Sequence, residues 1–110
     1  MPKSVLNVVD STTPAETLAS EITELCSYIH AATFQLLLKI AEFDRKRYWQ
    51  DEGFPSCAHW LNFNCGFGLN SARERIRVAH ALFRLPRIAK HFSNGELSCS
   101  KVRAVTRVAD

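Results

Sequence analysis

Glycine and proline are both scarce in this chain, at four residues each in 110, and methionine occurs once. That scarcity excludes collagen-like, linker-like and low-complexity architectures. No apolar run approaches the roughly 18 residues a membrane-spanning helix needs. The richest stretch, Phe34 to Ile40, is interrupted by Gln35 and Lys39. Residues 1–13 contain Lys3 but no apolar block of signal-peptide length, so the expected location is the cytoplasm, with no membrane partner. The four cysteines (Cys26, Cys57, Cys65, Cys99) form no C-x-x-C pair and are joined by no histidine pair, so no zinc site or other metal is expected. They fall within apolar patterns and read as small reduced core residues. His30, His59, His80 and His91 are scattered singly. No phosphate loop, dinucleotide fingerprint or nucleophile elbow occurs, so neither a cofactor nor a catalytic residue is expected and the chain reads as a non-enzyme.

Acidic residues are sparse in the second half. Residues 1–54 hold five Lys/Arg against eight Asp/Glu, whereas residues 55–110 hold nine against three. Clustered cations are the electrostatic footprint of a phosphate-binding surface. The same asymmetry also fits an acidic half docked on a basic half.

Strand-like alternation is absent and the breaks are sharp, so the expected fold is all-α, one long N-terminal helix packed against several shorter ones with no sheet. Residues 1–13 read as an extended or disordered tail and residues 14–110 as the helical domain. Thr13-Pro14-Ala15-Glu16 has a capping residue, proline at the first helical position and a capping-box glutamate. Leu18, Ile22, Leu25, Ile29, Leu36, Ile40 and Phe43 then recur at helical spacing, predicting one helix from Pro14 to about Arg47. Phe34, Leu37 and Leu38 make its second half apolar on more than one side, which implies burial between other helices. Ser56 caps a short helix over 57–64, and a third runs from Leu69 to about Arg84 with Ser71 and Glu74 in capping-box spacing. Pro86 opens a fourth that Asn94-Gly95 ends, and Ser98 caps a fifth. Tyr48, Trp49, Trp60 and Phe63 are expected to fill the core beside the long helix.

On the third helix Arg73, Arg77, His80 and Arg84 fall on one stripe between apolar flanks. Arg103 and Arg107 repeat this on the fifth, opposite Val102, Val105 and Val108. These six cations are the candidate nucleic-acid contacts; the same stripe is also what the outer face of any amphipathic helix carries. Arg75 falls on the narrow side between two apolar stripes, where a charge needs a partner, and Glu42 or Asp44 is the expected carboxylate of a structural ion pair. The two helix–glycine turn–helix stretches, 58–82 and 88–109, also have the outline of a helix-turn-helix.

Five segments form an ordered pattern: Ala41-Glu42-Phe43-Asp44, Gly53-Phe54-Pro55-Ser56-Cys57-Ala58-His59-Trp60-Leu61, Ala72-Arg73-Glu74-Arg75-Ile76-Arg77-Val78-Ala79, Leu85-Pro86, and Gly95-Glu96-Leu97-Ser98 continuing to Ala109. Over residues 15–110 this resembles the N-terminal part of the bacterial domain-of-unknown-function 222 family. The resemblance implies the N-terminal portion of a longer helical domain, of a kind commonly found before an HNH endonuclease domain and plausibly concerned with mobile DNA. No position here matches a nuclease residue, and the pattern stops at Asp110. A domain cut there should expose Val102, Val105 and Val108, which favours a homodimer through the long helix or this C-terminal apolar face. Two functions stay open: a DNA-associated module acting through a basic helical face, and a protein–protein or dimerisation module with no nucleic-acid role.

Overall fold

The computed structural model describes residues 13–109; the N-terminal tail expected over 1–13 lies, apart from Thr13, outside them. The described residues form six helices and no strand: α1 (Pro14–Arg45), α2 (Tyr48–Asp51), α3 (Cys57–Cys65), α4 (Leu69–Leu82), α5 (Pro86–Ser93) and α6 (Cys99–Ala109). None is long and apolar enough to cross a membrane.

Local signals set most boundaries. Thr13 Oγ1 accepts the Glu16 amide at 3.1 Å and starts α1. Ser56 Oγ accepts the His59 amide at 3.1 Å, and Ser98 Oγ accepts that of Lys101 at 3.2 Å. These side-chain oxygens satisfy amides that have no intrahelical partner. Two boundaries and one capping pattern depart from expectation. α1 ends at Arg45 because Arg47 adopts the left-handed conformation (φ 55°), and α2 follows as a separate turn. α3 runs to Cys65 before Gly66 closes it at φ 76°. α4 begins at Leu69 after Gly68, so Ser71 lies inside the helix and the capping box it formed with Glu74 goes unused.

The core gathers Phe34, Leu37, Ile40 and Ala41 of α1 against Ala72, Val78, Ala79 and Leu82 of α4, with Leu61 of α3, Phe92 of α5 and Val102 of α6. Phe92 is fully buried and meets Phe34 edge-on at 5.7 Å. Trp49 is buried as expected, with the Arg47 guanidinium over its ring at 4.9 Å. Trp60 packs on Phe43 at 4.4 Å. Phe63 and Tyr48 do not fill the core: they stand 77% and 44% exposed. Two cysteine expectations also fail, since Cys26 and Cys65 are exposed while only Cys57 is buried. On α6 the inward residues are Val102 and Thr106, and Val105 and Val108 face out.

The α5–α6 turn pins the middle of α1. Gly95 has φ 77°, and a Cβ there would lie 2.5 Å from the Ser27 carbonyl oxygen. Ser27 Oγ donates to the Gly95 carbonyl at 3.3 Å. Both the left-handed backbone and the close approach require glycine. Gly95→Ala should therefore cost at least ~2 kcal/mol in urea unfolding. Gly68→Ala, with open space around its Cβ position, should cost under ~1 kcal/mol. Equal effects would contradict the pinned contact.

Candidate functional site

The six candidate nucleic-acid contacts do not form one free basic face. Glu74, whose side chain is 15% exposed, sits between α4 and α6 and draws three of them onto itself. Arg77 donates through Nε to Glu74 Oε1 at 2.9 Å and through Nη2 to Oε2 at 3.0 Å. Arg107 Nη2 donates to Oε2 at 2.8 Å and Arg103 Nε to the same oxygen at 3.3 Å. Arg77 Nη2 also reaches Thr106 Oγ1 at 3.3 Å, and Thr106 in turn donates to the Val102 carbonyl at 2.8 Å. A bidentate arginine pair is geometrically specific. The cluster is thus a clamp holding α6 on α4.

Hydrogen bonding from Arg77, then from Arg107 and Arg103, holds the Glu74 carboxyl down at about 2, below its ordinary 4.5. Its ionised form is the one that stabilises the fold.

His80 is also drawn inward, its Nε2 lying 2.8 Å from Asp44 Oδ2 on α1. Arg77, Arg103, Arg107 and His80 therefore meet the protein's own carboxylates. Arg73 and Arg84 are exposed; Arg73 Nη1 donates to Asn70 Oδ1 at 3.4 Å.

The Arg75 ion pair is overturned. Asp44 is taken by His80, and Glu42, on the exposed side of α1, pairs with Lys46 at 2.9 Å. Arg75 instead lays its guanidinium over the Phe67 ring, 4.1 Å from the centroid, and donates to Ser71 Oγ one turn back. An aromatic face and a hydroxyl meet the needs of a half-buried guanidinium without a carboxylate. The only sequence signal was the pair Phe67 and Ser71 near Arg75, and it is weak because the α3–α4 turn brings Phe67 under the helix.

The first turn of α4, which a helix-turn-helix would present to a groove, looks across a cleft of about 410 Å³ onto α6, lined by Asn70, Ser71, Arg75, Cys99, Ser100 and Arg103. Among the described residues no group of three His, Cys, Asp or Glu is placed to hold a metal ion. Cys57, pushed up to about 12 chiefly by burial, lacks an accessible thiolate.

One surface stands out on the other side. The stripe Leu18, Ile22, Leu25, Ile29 does not face the core. Leu18, Ile22 and Ile29 are 58%, 60% and 60% exposed. Neither the α5–α6 turn nor α4 covers it, because both pack on the Ser27, Phe34, Leu37 and Ala41 side, ~140° away around the helix. Sequence reasoning found the periodicity and named the long helix as one of two homodimer surfaces, but did not separate this exposed row from the buried one.

No family model, curated protein or solved structure matches the chain.

Two outcomes follow. Because the folded-state pKa of Glu74 is depressed, its contribution is present above pH ~4.5 and lost as pH falls toward about 2. Glu74→Gln should cost about 1–2 kcal/mol at pH 7, with Arg103 and Arg107 discounted for solvent screening, and should flatten the stability profile over that window. An unchanged profile would remove the clamp. With a thiol reagent, Cys26 and Cys65 should react fast and Cys57 only on unfolding; a rapidly modified Cys57 would contradict its burial.

Proposed function

We propose that this chain is a non-catalytic helical module that docks protein, and that its docking surface is the exposed stripe on the N-terminal half of α1. The observation that carries this reading is that stripe: four large aliphatic side chains in one helical row, with three of them more than half exposed. A contiguous apolar row at that exposure is the signature of an interaction surface. The DNA-associated reading is less favoured, because Arg77, Arg103 and Arg107 already bind Glu74 and His80 binds Asp44, and a phosphate would have to compete with those carboxylates. The resemblance to the domain-of-unknown-function 222 family rests on the quoted motifs and is compatible with a helical module that serves a larger protein.

If the stripe serves docking rather than folding, it contributes little to the isolated domain. Ile22→Gln with Ile29→Gln should shift the unfolding free energy by less than ~1 kcal/mol when measured at ~1 μM protein, since both are exposed and Gln is a good helix former. Leu37→Gln, at a fully buried position, should destabilise by several kcal/mol. A large loss in the Ile variant would place the stripe in the domain's own core and end the docking reading. Duplex DNA should show no retardation at ~150 mM salt. Retardation abolished by Arg73→Ala with Arg77→Ala would restore the nucleic-acid reading.

A further inference from the structure

Resting on that docking surface, we infer that its occupant is a second copy of this chain, bound antiparallel through residues 15–32 of α1. Leu18, Ile22, Leu25 and Ile29 are spaced four, three and four apart, and Ala15 and Ala32 extend the series by three at each end. That is the spacing of a coiled-coil seam, and it matches itself when the second helix is reversed. With the two-fold axis between Ile22 and Leu25, Leu18 meets Ile29 of the other copy, Ile22 meets its Leu25, and Ala15 meets its Ala32. Every layer then pairs residues of complementary size, and the contact is isologous, as a two-fold dimer requires.

Three observations favour the reversed direction. The seam is partly covered beyond Ala32, where Leu36 packs against the core and borders a hollow it shares with Trp60, Leu61 and Cys65 of α3. A parallel partner in register would bring its own α3 to the same place. A reversed partner carries its own α3 past Pro14, away from this chain's α3. Glu21 and Tyr28 flank the seam, and reversal brings them together across it. Helix dipoles are also opposed in the reversed pair. The flanking positions Ala19 and Cys26, both exposed, face each other across the seam and are small enough for close approach.

The overlap is ~28 Å long, short of a standard stable interface, so association should be weak and concentration-dependent. Sedimentation equilibrium should show the mass rising from 12.4 kDa toward twice that value between ~10 μM and ~1 mM, with the rise abolished by Ile22→Gln/Ile29→Gln. Direction is read by cross-linking in a Cys26→Ser/Cys65→Ser background. Leu18→Cys and Ile29→Cys chains should form a disulfide when mixed and neither should cross-link alone. Self-cross-linking of each variant by itself would overturn the antiparallel pair in favour of a parallel one. A chain that stays at 12.4 kDa throughout, or whose association ignores the Ile substitutions, overturns the second-copy proposal. Either result leaves the docking reading to be judged by the dilute-solution stability of the same Ile variant.

Discussion

A helix can bury only as much of its circumference as its neighbours can reach, and α1 carries more apolar surface than this domain covers. Phe34, Leu37 and Ala41 point at α4 and α5 and are buried there. The row from Leu18 to Ile29 lies on another side and earlier in the chain. Since burial of apolar area is the main favourable contribution to folding, the buried row organises the domain. The exposed row is surface on which burial is still to be gained. The elongated shape, 55 × 30 × 20 Å, follows from the same fact. The N-terminal half of a 32-residue helix extends past the helices that cover its other end.

The remaining contacts keep that helix in place rather than adding chemistry. The Gly95–Ser27 contact fastens α1 at its midpoint on the side away from the stripe. The His80–Asp44 contact fastens it near its C-terminal end. Glu74 then ties α6 to α4, which in turn packs on α1. Three guanidinium groups on one carboxylate leave the cluster with surplus positive charge, carried at the surface by Arg103 and Arg107. Three of the nine cations in the second half of the chain are thus used for internal fastening.

Much of the fold was legible because its signals are local. A capping hydroxyl at Thr13, Ser56 or Ser98 and a left-handed glycine at Gly66 or Gly95 act within a few residues, and each sits where the pattern put it. Periodicity likewise reported that α1 has an apolar face. It did not report what lies against that face, which depends on where α4 and α5 return. The same limit explains Arg75. Its spacing on the helix showed a charge between apolar stripes, while the choice of Phe67 over Glu42 or Asp44 was made by the α3–α4 turn. Phe63 and Val105 show the converse, since an apolar residue in a short helix carries little information about which side the rest of the chain will occupy.

Amide hydrogen exchange along α1 tests the central claim most directly, because it reads covered and uncovered faces of one helix in one experiment. In dilute protein, amides from Phe34 to Ala41 should be protected to the level of global unfolding, while those from Leu18 to Ile29 exchange faster, and raising the concentration should slow only the latter. Equal, concentration-independent protection along the whole helix would show that the stripe already belongs to the domain's own core.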